Sequence, residues 1–167
     1  MKIAIIGLGF VGLPLASVLA SKGNNVVAID IDNDKCIKIR NGVSPFFEPD
    51  LEKTLRIGLK KKLIVSNNFS LIKDCNVIIV AVGTPQKSNG AIELSIIKKA
   101  ITTIGKILGK SKNNPIVLIK STVIPGTMQN VILPILEKNS GKKAGKDFGL
   151  ISNPEFLQES SAVKDTK

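Results

Sequence analysis

The chain predicts an α/β fold, doubly wound around a mainly parallel sheet with helices on both faces, on three observations. Apolar runs of strand length alternate with segments of helical periodicity from one end to the other. The first run leads straight into Gly7-Leu8-Gly9-Phe10-Val11-Gly12, a glycine-rich turn that opens a helix. Later runs such as Val77 to Val82 are continuously apolar, the pattern of parallel strands buried on both faces.

Lys2 to Ile6 reads as the first strand, and the helix after the glycine turn runs to about Ser21. Val26 to Ile29 is the second strand and ends on Asp30. Asn33 to Asn41 reads as a short helix, broken by Gly42-Val43-Ser44-Pro45. Pro49, placed in a first turn, is expected to begin a helix reaching about Lys60, followed by a short strand from Lys62 to Val65. Val77 to Val82 is the next strand, and Ala91 to Leu108 a helix through Leu94, Ile97, Ile101, Ile104 and Leu108. Pro115 to Ile119 reads as a strand and Gly126 to Glu137 as a helix that Pro134 kinks or shortens. Asn139 to Lys146, rich in glycine and lysine, is expected to be a surface loop. Phe148 to Ile151 is the last strand, and Asn153-Pro154-Glu155 a helix start. A chain of 167 residues is one domain by length, spanning 1–167.

The first thirty residues form strand, glycine turn, helix, strand and acid, the order of a Rossmann-type dinucleotide site. Gly7 permits the tight turn, Gly9 lets backbone approach a pyrophosphate, and Gly12 lets helix pack on strand. The helix N-terminus offers N–H groups and the positive end of its dipole to phosphates. Asp30, about 18 residues past the last glycine, stands where a carboxylate accepts the ribose hydroxyls. Its charge would repel a 2′-phosphate and favours NAD over NADP, although Lys35, Lys38 and Arg40 follow closely enough to offset part of that repulsion.

Composition narrows the chemistry. With no histidine, the chain itself builds no Ser-His-Asp triad and no His-ligated zinc, and no metal site is expected. With no tyrosine, a tyrosine-lysine acid is excluded too. Cys36 and Cys75 lack metal or CxxC spacing and read as small packing residues of a reducing, cytoplasmic protein. No apolar run reaches the ~18 residues of a membrane span, and the N-terminus lacks the pattern of a signal peptide. A net charge of +11 comes mainly from scattered lysines. Without Trp or Tyr, and with no recognition-helix pattern, specific nucleic-acid binding is not expected, whereas a basic field attracts an anionic nucleotide.

In an open parallel sheet, ligands bind beyond the carboxyl ends of the strands. Those ends carry Gly7 to Gly12, Asp30, Gly83-Thr84-Pro85, Ser121-Thr122 and Asn153-Pro154-Glu155. Thr84 and Thr122 either offer hydroxyls to a cofactor or a water, or cap the helices that follow them. Glu155 and Glu159, four residues apart, share a face if helical. They either serve proton transfer near a nicotinamide or form a solvated face.

Four segments together resemble the N-terminal domain of the UDP-glucose/GDP-mannose dehydrogenase family, the nucleotide-sugar 6-dehydrogenases. They are Lys2 to Ala16, Val80-Ala81-Val82-Gly83-Thr84-Pro85, Lys120-Ser121-Thr122-Val123-Ile124-Pro125-Gly126-Thr127, and Ser152-Asn153-Pro154-Glu155-Phe156-Leu157-Gln158-Glu159. They occur in the family's order and spacing. The resemblance implies that Phe10 and Val11 in the glycine turn, with Asp30, Lys35, Thr84, Thr122 and Glu159, contact NAD. It implies that Glu155, Phe156, Leu157 and Glu159 border the sugar nucleotide, with Glu155 a general base and Thr122 holding a catalytic water. Such enzymes oxidise a C6 alcohol to a carboxylate with two NAD, holding the aldehyde on a cysteine as a thiohemiacetal, then a thioester.

Neither Cys36 nor Cys75 has the setting of that nucleophile, which the family places in a later segment. The central helix, with the family's active-site lysine and asparagine, and the sugar-nucleotide domain are likewise expected outside these 167 residues. The chain alone is therefore expected to bind NAD without full turnover, to need a C-terminal catalytic half in the same or a second chain, and to dimerise only through the central helix. Gln158 stands where the family commonly has arginine or alanine, and Ser160 where glycine often follows. Two alternatives stay open: a β-hydroxyacid-type dehydrogenase domain, and a stand-alone NAD-binding module or half-enzyme.

Overall fold

A computed structural model describes residues 1–154 and 160–166. Six strands, β1 (Lys2–Ile6), β2 (Asn25–Ile29), β3 (Leu63–Ser66), β4 (Val77–Val80), β5 (Ile116–Ile119) and β6 (Gly149–Ser152), form one sheet. The order is β3-β2-β1-β4-β5-β6 and every pair is parallel. Ile3 of β1 faces Val26 of β2 on one side and Val77 of β4 on the other. The chain winds outward from β1 in one direction, then returns to β4 and winds in the other. The carboxyl ends of β1 and β4 therefore diverge into a crevice, where such folds bind ligands.

Alternation along each strand sends successive side chains to opposite faces. Ala4 and Ile6 join Ile78, Val80, Val117 and Ile119 under α4 (Ser95–Leu108) and α5 (Leu133–Ser140). Ile3 and Ile5 join Val26 and Ala28 under α1 (Gly12–Ser21) and α3 (Leu51–Lys61), with α2 (Asn33–Arg40) and α6 (Ala162–Thr166) adding Cys36, Ile39 and Val163. The amphipathic pattern of α4 explains its seat: Ile97, Ile101, Ile104 and Leu108 are all buried on one stripe. No helix among the described residues is long and apolar enough to cross a membrane.

The expected strands, and the helices before Asn153, are present, with the main differences at their ends; α5 runs three residues past Glu137, to Ser140, so the expected loop from Asn139 begins only at Gly141. α4 begins at Ser95, not Ala91, because Gly90 turns the chain back at φ 83° and Gln86 pairs with Ile92 in an antiparallel bridge. α3 begins at Leu51, after Asp50 adopts a left-handed φ of 60°, so Pro49 precedes the helix and does not occupy its first turn. β4 ends at Val80, although the Ala81 amide still donates to the Ile6 carbonyl at 2.8 Å. The expected Gly126–Glu137 helix is a π-helical turn over Met128–Ile132 running into α5, whose first turn holds Pro134. Proline lacks an N–H and crowds the carbonyl four residues back, and the wider turn relieves both problems. Asn153 and Pro154 lie in no helix, and Glu155 to Glu159 fall outside the described residues.

Candidate functional site

The glycine turn is built by steric exclusion. Gly7 has φ 93°, and its amide donates to the Ile29 carbonyl at 2.8 Å, tying β1's end to β2's. A Cβ on Gly12 would sit 1.8 Å from the Gly7 carbonyl oxygen, so α1 starts directly against the turn. Gly9 is different. A Cβ there would meet nothing within 4 Å, and the same holds for Gly83 across the crevice. Neither residue has the positive φ that demands glycine. That openness leaves room for a pyrophosphate to approach the backbone.

Asp30, at the end of β2, is 7% exposed. Its Oδ2 accepts from the Leu8 amide and from Lys35 Nζ, both at 2.9 Å, and its Oδ1 from the Asp32 amide at 3.0 Å. Burial by itself raises the pKa of this carboxyl. The hydrogen bonds from Asp32, Leu8 and Lys35, with the lysine's charge, outweigh that and hold it below its ordinary value. Lys35 is placed for this by α2, whose N-cap Asp32 accepts the Lys35 amide at 3.0 Å. The acid and its lysine are thus one preformed unit, ionised at neutral pH.

Two cavities continue from this turn. One of about 560 Å³ includes Asp30, Lys35 and Lys99 in its lining, with Ile31, Phe69 and Ile96 as apolar walls. The other, about 280 Å³, is lined by Phe10, Val11, Thr84, Lys120, Ser121 and Thr122 among others. They share Gly9, Ala81, Val82 and Gly83, so they are two halves of one cleft across the β1–β4 switch point. A bipartite, partly apolar cleft with a carboxylate in one half suits a dinucleotide.

In the smaller half, the loops after β4 and β5 are tied by two reciprocal bonds. Thr84 Oγ1 donates to the Thr122 carbonyl at 2.8 Å, and Ser121 Oγ to the Val82 carbonyl at 2.7 Å. Neither Thr84 nor Thr122 caps a helix: the residues before α4 and before the π turn are Leu94 and Thr127. Lys120 Nζ donates to Asn153 Oδ1 at 3.1 Å, linking β5's end to β6's. Val11 precedes α1, and the exposed ring of Phe10 lies 4.3 Å, centre to centre, from Phe46.

The expected residues Gly7, Gly9, Phe10, Val11, Asp30, Lys35, Thr84 and Thr122 therefore line one cleft, with Gly12 buried behind the glycine turn. Glu155, Phe156, Leu157 and Glu159 lie outside the described residues. Sequence reasoning missed the apolar walls, the Ser121 tie and Lys120. Ile31, an apolar residue directly after Asp30 where a strand ends, was the readable sign of the first, and the structure leaves it 80% exposed. Cys36 and Cys75 are buried, and burial pushes both thiols up, away from the reactive thiolate.

Known proteins match this architecture over the whole chain. The family model for the NAD binding domain of the UDP-glucose/GDP-mannose dehydrogenase family matches residues 1–167. The GDP-mannose 6-dehydrogenase of Pseudomonas syringae pv. tomato is 46% identical over 167 residues, 99% of this chain and 38% of that protein. The UDP-glucose 6-dehydrogenase AglM of Haloferax volcanii is 36% identical over 165 residues, again 99% and 38%. A crystal structure of a ternary complex of GDP-mannose dehydrogenase from Pseudomonas aeruginosa superposes with a TM-score of 0.96 at 41% identity, covering 99% of this chain and 38% of that one. The chain thus spans 38% of the length of these relatives. Matched from end to end, and carrying the dinucleotide cleft in the place its fold dictates, the chain belongs to the UDP-glucose/GDP-mannose dehydrogenase family as its NAD-binding domain.

Proposed function

We propose that this chain is the cofactor half of a nucleotide-sugar 6-dehydrogenase of the UDP-glucose or GDP-mannose type, binding NAD along the β1–β4 cleft. The observation that carries this reading is the ionised Asp30–Lys35 unit at one end of a cleft whose middle is left open by Gly9 and Gly83. Asp30 Oδ1 accepts one amide and has capacity for a ribose hydroxyl, while Lys35 offers further ammonium protons to the same sugar. The pyrophosphate passes over Gly9 toward the N-terminus of α1. Ile31, Phe69 and Ile96 receive the adenine, and Thr84 and Thr122 flank the nicotinamide end. When bound, NAD supplies the hydride acceptor for oxidation of a C6 alcohol.

By likeness to the family, Glu155 takes the role of general base, Thr122 holds a water, Glu159 contacts NAD, and Phe156 and Leu157 border the sugar nucleotide. The nucleophilic thiol is a group of a C-terminal half, because buried Cys36 and Cys75 face the two cores. Two free thiols suit a reducing compartment such as the cytoplasm.

Calorimetric titration of the 167-residue chain with NAD and NADP tests the reading; with no Trp or Tyr, intrinsic fluorescence is a poor reporter. NAD is expected to bind at least about tenfold more tightly than NADP, since Asp30 repels the 2′-phosphate. Failure to bind millimolar NAD would overturn it. Incubation with UDP-glucose, GDP-mannose or an N-acetylated sugar nucleotide is expected to give no sustained NADH from this chain alone. Sustained turnover would refute the half-enzyme reading.

A further inference from the structure

Two stripes run along α4. Ile97, Ile101, Ile104 and Leu108 are buried against the sheet, whereas Ile96, Lys99, Ala100 and Thr103, at helical spacing on the adjoining face, line the larger half of the cleft. Lys99 is exposed, and no carboxylate among the described residues pairs with it. Thr103 is half-buried, and its Oγ1 donates to the Lys99 carbonyl at 3.1 Å. A hydroxyl has one proton and two lone pairs, so with that proton committed to the helix Oγ1 meets a ligand as an acceptor. An ammonium carries donors only. This face of α4 therefore offers the cavity a donor and an acceptor one turn apart, beside apolar Ile96 and small Ala100. The two helices that wall this half lie on opposite faces of the sheet: α2, with Lys35, packs with Ile3 and Ile5, and α4 with Ala4 and Ile6. A ribose held at Asp30 and Lys35 thus directs its base across the cavity toward α4. The purine edge farthest from the sugar carries position 6 and N1.

We propose that Lys99 and Thr103 read the base of the dinucleotide and select adenine: Thr103 Oγ1 accepts from the 6-amino group, and Lys99 Nζ donates to N1. Hypoxanthine, with a carbonyl at position 6 and a proton on N1, reverses both groups and sets acceptor against acceptor and donor against donor. The two residues determine cofactor specificity at the end of the cleft remote from the reacting atoms. The inference rests on the functional reading above, in which NAD lies along the cleft with its adenine among Ile31, Phe69 and Ile96.

The test is calorimetric titration of the 167-residue chain with NAD and with nicotinamide hypoxanthine dinucleotide, which differs from NAD only at position 6 and N1 of the base. NAD is expected to bind about tenfold more tightly. Thr103→Val keeps the shape and removes the acceptor. It should weaken NAD about three- to fivefold and leave the hypoxanthine analogue within about twofold. Lys99→Met, which keeps the chain length and loses the ammonium, should do the same, and this exposed position carries the test if Thr103→Val does not fold. A lysine acting only as a charge would weaken both dinucleotides alike when changed, and that result overturns the proposal. Thr103→Ser, which retains the hydroxyl, should keep the preference for NAD; its loss there would mark Thr103 as a packing residue and also overturn the proposal. Equal affinity of the wild-type chain for the two dinucleotides overturns it while leaving the proposed function standing. A chain that binds neither refutes the proposed function and this inference with it.

Discussion

The two halves of the cleft are assembled in opposite ways. The larger half draws most of its polar groups from adjacent sequence: the glycine turn, Asp30 and Lys35 all lie within the first βαβ unit and the helix after it, with Lys99 and Thr103 added from α4. There the acid, the lysine and two amides satisfy one another before any ligand arrives. The smaller half is made of loops separated by nearly forty residues and tied hydroxyl to carbonyl, Thr84 to Thr122 and Ser121 to Val82. Its bonds run from side-chain hydroxyls to backbone carbonyls, and among the described residues Lys120 is the one ionisable side chain in its lining. The difference teaches that recognition of the cofactor is local and preformed. The smaller half depends instead on contacts between loops far apart in sequence.

The turn common to both halves should be the least tolerant position. Gly12→Ala places a Cβ within bonding distance of the Gly7 carbonyl, so the turn or α1 must move. A loss of about 4 kcal/mol in stability, or a melting temperature lower by about 10 °C, is expected in a thermal melt. Asp30→Asn should come next and act on the larger half alone. ADP-ribose and NAD should both bind about 10- to 100-fold more weakly, because a charged acceptor of several hydrogen bonds is lost.

Acid should reproduce part of that effect. The folded-state pKa of Asp30 lies below its ordinary value, so its stabilising contribution is fully present above about pH 3.9. That contribution fades as pH falls through the lower folded value. The stability gap between wild type and Asp30→Asn should stay constant from about pH 8 to pH 5 and shrink below about pH 4 in denaturant titrations. A gap that closes nearer neutrality would break the picture of a preformed, ionised acid.

Gly9→Ala sharpens the contrast with Gly12. Nothing in the protein opposes a Cβ at Gly9, so stability should change by less than about 1 kcal/mol. NAD affinity should nonetheless fall about tenfold, since the methyl group occupies the approach of the pyrophosphate. Calorimetry and a thermal melt on the same sample separate the two effects.

What was legible in the sequence follows the same division. The glycine turn and Asp30 could be read because their spacing is local and each residue type has a steric or electrostatic reason to be there. Pro134 announced a disturbance, and the π turn is the form it took. The apolar spacing of Ala91 and Leu94 continued the period of α4, but Gly90 and the Gln86–Ile92 bridge took those residues into a turn. The role of buried Glu48, which accepts the Ser160 and Val163 amides, was invisible because its partners are backbone amides more than a hundred residues away, and an amide carries no residue signature. The hydroxyl ties escaped for the same reason. Thr84 and Ser121 stand in recognisable segments, but the carbonyls they meet could have belonged to any residue.

Those ties provide the finest test of the comparison. Thr84→Val keeps the shape and removes the 2.8 Å bond to the Thr122 carbonyl. Thr122 is exposed, so water can satisfy its freed carbonyl, and the cost in stability should be only about 0.5–1 kcal/mol. The consequence for binding should be selective. NAD, which in the proposed reading fills both halves, should bind about two- to threefold more weakly, while ADP-ribose, which lacks the nicotinamide, should bind as before. Thr84→Ser, retaining the hydroxyl, should restore NAD binding. An equal loss for both ligands would mean that the β4–β5 tie also shapes the larger half through Gly83, and that the two halves of the cleft are mechanically one.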